Sequence, residues 1–139
     1  MDYQSLIRKE ILAIAPYVPG KPIEEVKREF GIQDVIKLAS NENPLGPSPK
    51  AIKAVQEMLD EAHLYPDGGC FSLKEALGKE LGVKTDQIIV GNGSDEIIKL
   101  FAEAFFQPED EIVVADPTFG EYAYATRLMG ARLIKVKGE

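Results

Sequence analysis

The sequence predicts an α/β protein whose C-terminal half opens a parallel sheet. Short β-branched runs alternate there with stretches of helical periodicity, and Pro108 and Gly130 lie where helices should end. Strands that alternate with crossover helices are typical of parallel pairing. The strands are expected at 88–90, 112–115 and 133–136, and the helices between them at 94–106 and 121–129.

The N-terminal half predicts three helices. Apolar residues between Leu6 and Ile14 share one helical face, and this helix must end before Pro16. After a proline-rich extended arm, a second short helix begins at Pro22 and is closed by Gly31. The third helix has the N-terminal signals Ser48 and Pro49 and ends near His63, where a cation complements the helix dipole. Residues 35–39 are strand-like, and residues 40–47 are turn-rich.

A change of pattern near residue 68 predicts the boundary between two parts of the chain. Ser72 and Glu75 have the spacing of a capping box, for a helix that runs to Gly82. Residues 1–67 are therefore expected to form an N-terminal arm, helices and a segment of a small domain. Residues 68–139 are expected to form the first part of a larger α/β domain. Because parallel sheets need both faces covered, three strands resemble the opening of such a domain.

Composition excludes several classes of function. The chain has 139 residues, 45% of them hydrophobic and 28% charged, and a net charge of -7, which argues against nucleic-acid or anionic-membrane surfaces. Cys70 is the single cysteine, so no internal disulfide is possible, and it is expected to be inert. The sequence has no signal-peptide pattern, no membrane span and no metal-ligand spacing. We therefore expect a cytoplasmic protein that binds no metal.

A glycine-rich turn at residues 89–96 carries the strongest functional signal. A β-branched run leads through Gly91 and Gly93 into an acidic helix start, so backbone N–H groups are bared where the helix dipole favours an anion. The turn lacks the Gly-Lys-Ser/Thr ending of a Walker A loop, and Glu96 stands where a dinucleotide fingerprint needs a small residue. It is a candidate phosphate-binding turn; the alternative is an ordinary strand-to-helix turn capped by Ser94.

Three other motifs are candidates for a binding site. Phe119 follows a predicted strand, where it could stack on a heteroaromatic ring, or it could merely pack with Tyr122 against the next helix. The loop at residues 39–46 is dense in amides, proline and glycine, although its asparagines could simply lock their own backbone. Tyr65 begins the turn 65–69 and presents a hydroxyl that could donate to a phosphate, or it is a half-buried turn residue.

Together, in this order, these motifs resemble the N-terminal part of the fold type I pyridoxal-phosphate aminotransferases, specifically the histidinol-phosphate aminotransferase branch. The resemblance runs from residue 14 to residue 133. It implies that pyridoxal 5'-phosphate is the cofactor and that the Ser94 and Asp95 amides hold its phosphate, with Gly93 allowing close approach. It also implies that Phe119 stacks on the pyridine ring and that Tyr65 reaches the cofactor phosphate of the neighbouring subunit in a homodimer.

The resemblance further implies that Tyr17 and Asn43 lie on the substrate side. Members of this family are more than twice as long, and their remaining part carries the Schiff-base lysine and the aspartate that faces the pyridine nitrogen. Transamination needs both, so the isolated chain is expected to be inactive and to contribute no catalytic residue. It is also expected to fold marginally or to need a complementing segment.

The complete parent is expected to transfer an amino group from histidinol phosphate to the 2-oxo acid 2-oxoglutarate in histidine biosynthesis. The products are imidazole acetol phosphate and glutamate. The sequence leaves two alternatives open. One is a relative that acts on aromatic amino acids or on threonine phosphate. The other is a non-catalytic fragment that binds phosphate weakly or pairs with a full-length subunit.

Overall fold

The computed structural model describes residues 3–15 and 20–138. The chain divides into two compact units. One consists of the described residues of Met1–Tyr17 together with Cys70–Glu139, and the other is Val18–Gly69. No helix within the described ranges is long and apolar enough to cross a membrane.

A parallel strand pair forms the centre of the first unit. Strands β1 (Glu111–Asp116) and β2 (Arg132–Lys137) pair in register, with Ile112 opposite Leu133 and Ala115 opposite Val136. Exposed and half-buried residues alternate along β1, as expected for a strand with one covered face. Helix α6 (Gly120–Leu128) connects the two strands. The predicted α/β class is therefore confirmed, with the parallel arrangement expected of these strands.

Small side chains form the core between the helices of this unit. Helix α5 (Gly93–Phe105) packs against α6, and Ala102 and Ala125 are buried where small residues permit close approach. Thr126 is fully buried, and its hydroxyl donates to the carbonyl of Tyr122 at 2.7 Å, which satisfies the polar group. Each predicted boundary of α5 and α6 lies within one residue of the observed one.

The beginning of the chain forms two short helical pieces instead of one helix. A 3₁₀ helix spans Tyr3–Leu6, and α1 spans Lys9–Leu12. The Arg8 guanidinium, which lies between them, donates to the carbonyl of Leu128 at 2.7 Å. A cation at the C-terminal end of α6 interacts favourably with that helix dipole, so Arg8 helps to hold the N-terminal segment on α6.

Helix α4 (Phe71–Leu81) begins two residues earlier than the capping box predicts, because a box with Ser72 at the N-cap would make residue 73 the first helical one. Its N-cap position is Cys70, which has a φ of +50° and makes no capping hydrogen bond through its side chain, so the Ser72 and Glu75 box is wrong. The predicted end is right. Gly82 has a φ of +68°, and the N–H groups of Gly82 and Val83 both donate to the carbonyl of Gly78, which closes the helix.

The predicted strand at residues 88–90 is not formed. The segment has no regular secondary structure and no ladder hydrogen bonds, and Ile89 is 78% exposed. Within the described part of the chain, the sheet contains β1 and β2 alone, so this apolar run has no strand to pair with. The local sequence of a β-branched segment favours a strand, but the strand forms only when a neighbouring strand supplies the hydrogen bonds.

The second unit contains two helices joined by a loop. Helix α2 (Ile23–Phe30) ends as predicted at Gly31, whose φ is +65°. Helix α3 (Pro49–Met58) begins as predicted, with Pro49 at its first position, and continues as a 3₁₀ turn, Leu59–Glu61. The strand predicted at 35–39 is wrong, because this segment has no strand partner in its unit, and Ile36 and Leu38 are 88% and 93% exposed.

Candidate functional site

The glycine turn before α5 has a defined backbone geometry. Asn92 has φ -79° and ψ 65°, and the N–H of Gly93 donates to the carbonyl of Gly91 at 2.9 Å. These values describe an inverse γ-turn. Gly93 itself has a φ of +78°, in the left-handed region where a side chain is costly. The turn therefore depends on glycine at position 93 for a conformational reason.

The first backbone amides of α5 are available to a ligand. Among the hydrogen bonds of the described residues, none uses the backbone N–H of Ser94 or Asp95. Such groups have no partner inside a helix, and an anion can satisfy them. The N-cap position is occupied by Asn92, and no side chain makes a capping bond there, so capping by Ser94 is not observed. This arrangement fits a phosphate group.

Glu96 is a feature of this turn that the sequence pattern did not reveal. One of its carboxylate oxygens, Oε2, accepts the backbone N–H of Asn92 at 2.5 Å. The contact is similar to the return bond of a capping box, although the acceptor lies four residues after the donor. The only sequence signal was a glutamate in the first helical turn, which also fits a simple dipole interaction.

Phe119 lies at the N-cap position of α6, immediately after the loop that follows β1. The residue is 42% exposed, and its ring meets the Tyr122 ring edge-on, with centroids 6.4 Å apart. Packing against Tyr122 was the alternative to a ligand-stacking role for Phe119, and this ring contact is present. Part of the Phe119 ring nevertheless remains accessible for stacking on a flat group. Phe119 and the glycine turn belong to the same compact unit.

Glu121 is a buried carboxylate beside Phe119 that was also missed. It is 6% exposed, and its Oε2 atom accepts no hydrogen bond. The nearest described cation is Lys99 on α5, with its ammonium nitrogen at 3.8 Å, and this ammonium also lies 5.2 Å from the Tyr124 ring centroid. An ion pair of this length is weaker than a hydrogen-bonded one, but it links α5 to α6.

In the second unit, the side chain of Asn43 is used by its own loop. Its carbonyl oxygen accepts the N–H of Leu45 at 3.0 Å, and its amide nitrogen donates to the carbonyl of Gly46 at 3.4 Å. This is the loop-locking arrangement that asparagine favours in turns. A hydrogen-bonded ion pair of 2.5 Å between Lys37 and Glu42 spans the same loop. The substrate role of Asn43 stays a prediction.

Of the two tyrosines predicted to lie at the site, the structure describes only Tyr65. Tyr65 is fully exposed, so its hydroxyl is accessible to a ligand or to a second chain. The turn after it is closed by a 2.9 Å bond from the N–H of Gly69 to the Asp67 carboxylate. Tyr17 lies outside the described residues. Within residues 3–15 and 20–138, no cluster of three or more His, Cys, Asp or Glu side chains could hold a metal ion.

The left-handed glycine gives a direct test of the turn. We expect Gly93→Ala to lower the free energy of unfolding by about 1 kcal/mol, because alanine is strained at a φ of +78°. The matched variant Gly93→Asn should lose less, since asparagine tolerates the left-handed region. Urea denaturation of the three proteins measures both effects. Equal stability of the two variants would show that the backbone conformation at residue 93 is not the constraint.

Comparisons with known proteins relate this chain to one family. A model of the family described as aminotransferase class I and II matches residues 33–139. A histidinol-phosphate aminotransferase from Moorella thermoacetica is 65% identical over 93% of this chain and 33% of the relative. One from Caldicellulosiruptor saccharolyticus is 53% identical over 94% of this chain and 37% of the relative. The chain thus spans about a third of the length of these curated relatives.

A solved structure agrees in fold. The crystal structure of histidinol-phosphate aminotransferase from Sinorhizobium meliloti, in complex with pyridoxal-5'-phosphate, matches with a TM-score of 0.83 at 22% identity. The match covers 97% of this chain and 36% of that protein. The glycine turn and Phe119 both lie within the segment that the family model matches. This chain therefore belongs to the class I and II aminotransferase family.

Proposed function

We propose that these residues form part of the cofactor site of a pyridoxal-phosphate-dependent transaminase that acts on histidinol phosphate. The observation that carries the proposal is the pair of unused amides at Ser94 and Asp95, in a chain 65% identical to a protein of that name. A helix start of this kind binds anions such as phosphate. The partial exposure of Phe119 supports a flat ring stacked next to it.

Each predicted residue has a separate task in this proposal. The amides of Ser94 and Asp95 bind the cofactor phosphate, and Gly93 keeps the turn open to it. Phe119 orients the pyridine ring by stacking. When bound, pyridoxal 5'-phosphate supplies the electron sink for amino-group transfer. The exposed phenol of Tyr65 donates to the cofactor phosphate of the neighbouring subunit, so the complete enzyme is a homodimer.

The names of the relatives support the amino donor of this reaction, and the family resemblance supports its acceptor and substrate-side residues. The amino donor is histidinol phosphate, the acceptor is 2-oxoglutarate, and Tyr17 and Asn43 lie on the substrate side. The reaction belongs to histidine biosynthesis and takes place in the cytoplasm. Residues 1–67 supply the arm and small-domain segment, and residues 68–139 begin the cofactor-binding domain. These 139 residues alone bind the phosphate without turnover, because none of their lysines has the sequence context of the family's Schiff-base lysine.

A fusion protein tests the substrate proposal. Residues 1–139 would replace the aligned third of the Moorella thermoacetica relative, so that the uncovered two thirds complete the enzyme. We expect the fusion to transaminate histidinol phosphate with a kcat/KM well above those for phenylalanine and threonine phosphate. A folded, cofactor-loaded fusion that prefers either of these amines would overturn the assignment of substrate.

The same fusion tests the role of Phe119. Removal of the ring by Phe119→Ala should lower kcat/KM by about tenfold, since a stacked aromatic contact contributes roughly 1 kcal/mol or more. The matched variant Phe119→Tyr keeps the ring and should stay within about threefold of the unchanged fusion. Equal activity of Phe119→Ala and the unchanged fusion would mean that the ring only packs against Tyr122.

A further inference from the structure

We propose that Glu96 is a positioning residue for phosphate binding at the glycine turn. Its carboxylate accepts the N–H of Asn92 at 2.5 Å, so this residue ties the turn to the first helical turn of α5. This inference rests on the proposed function, because it concerns the same phosphate. It adds a residue that does not touch the ligand but holds the backbone that does.

Two backbone groups of the turn are satisfied by this arrangement. The Asn92 N–H is bound by Glu96, and the Gly93 N–H is bound by the carbonyl of Gly91. The N–H groups of Ser94 and Asp95 follow directly and remain unused. The amides of Asn92 and Gly93 therefore stabilise the turn, whereas those of Ser94 and Asp95 can bind an anion. Without Glu96, the Asn92 amide would need another acceptor, and the turn could relax.

Packing supports the same role. A Cβ atom built on Gly91 would lie 2.9 Å from Oε2 of Glu96 and 2.7 Å from Cδ1 of Ile97. Both distances are shorter than real contacts allow, so a side chain at residue 91 would displace Glu96 or Ile97. Glycine is therefore required at residue 91 by packing. It leaves the space that the Glu96 carboxylate occupies.

The negative charge of Glu96 and its role as a hydrogen-bond acceptor have opposite expected effects on phosphate affinity. A carboxylate near a bound phosphate repels it, so Coulomb's law alone predicts that removal of the charge strengthens phosphate binding. The positioning role predicts the opposite for Glu96→Ala, which loses the acceptor. Glu96→Gln separates the two effects, because glutamine keeps an acceptor oxygen and loses only the charge.

The experiment is a titration of the 139-residue chain with inorganic phosphate, followed through the amide NMR signals of Ser94 and Asp95. We expect Glu96→Ala to bind phosphate about threefold to tenfold more weakly, the range that loss of a helix-capping bond implies. Glu96→Gln should bind as tightly as the unchanged chain or more tightly. Glu103→Ala is the control, since it removes an exposed carboxylate from the same helix.

Two results would overturn the inference. The first is Glu96→Ala binding phosphate as tightly as the unchanged chain or more tightly. The second concerns hydrogen exchange at the Asn92 amide, which should be faster in Glu96→Ala than in Glu103→Ala; equal rates would mean that Glu96 does not hold the turn. If the unchanged chain shows no phosphate response at Ser94 or Asp95, the proposed phosphate site fails. The Asn92 exchange rates then still decide whether Glu96 positions the turn.

Discussion

Replacement of Gly78 by alanine should lower the free energy of unfolding by about 2 kcal/mol or more. Gly78 is buried in α4, and a Cβ atom there would lie 2.8 Å from the carbonyl oxygen of Val83. That oxygen belongs to the backbone, so no rotation of a side chain relieves the contact. The same two residues share a 3.0 Å hydrogen bond that closes the helix, and displacement of Val83 would strain it.

Gly120→Ala is the matched control for this prediction. Gly120 is the first residue of α6, and nothing lies within 4 Å of a Cβ atom built on it. Alanine has the higher helix propensity and reduces the entropy of the unfolded chain, so this variant should be neutral or slightly more stable. Urea denaturation followed by circular dichroism compares the two. Similar stabilities for both variants would mean that α4 adjusts to the added methyl group.

Borohydride treatment of the isolated chain with pyridoxal phosphate should yield no single covalent adduct by intact mass. Attack on the cofactor aldehyde requires a neutral amine, whereas several lysines of this chain form ion pairs as ammonium groups. A hydrogen bond to the Glu29 carboxylate raises the pKa of Lys21 above its ordinary value. Lys99 lies beside the Glu121 carboxylate on the helix that follows Phe119. Surface lysines should react only partially and at mixed positions.

The variant Lys99→Arg tests whether Lys99 is the amine that forms any covalent adduct with the cofactor. Arginine keeps the positive charge beside Glu121 but forms no such adduct. If the unchanged chain gave one stoichiometric adduct and Lys99→Arg abolished it, Lys99 would be an anchoring amine, and our proposal that the chain alone lacks one would be wrong. An adduct at another lysine, located by peptide mapping, would contradict it equally.

The helices of this protein were predictable because their signals are local. Pro49 at a first helical position and Gly31 and Gly82 at left-handed helix ends restrict the backbone whatever surrounds them. The single helix expected between Leu6 and Ile14 is two short pieces, and the capping box at Ser72 and Glu75 also failed. The spacing of the box is right, but the helix begins at Phe71, one residue before Ser72, so Ser72 is not at the N-cap.

The strands were predicted less well, since a strand depends on its neighbours. The runs at 112–115 and 133–136 became β1 and β2 because each supplies hydrogen bonds to the other. The runs at 35–39 and 88–90 have similar apolar content but no partner among the described residues. Sequence periodicity describes the side chains of a strand and contains no information about the second backbone that must lie beside it.

The sequence by itself determined the α/β class, most helices and the positions of the motifs, including the glycine turn and Phe119. Only the tertiary structure decided how individual polar groups are used. It assigned the Asn43 amide to its own loop, the Glu96 carboxylate to the Asn92 N–H and the Glu121 carboxylate to a buried place near Lys99. The physical reason is that hydrogen bonds and burial depend on which atoms meet in space, whereas helix signals act between neighbours along the chain.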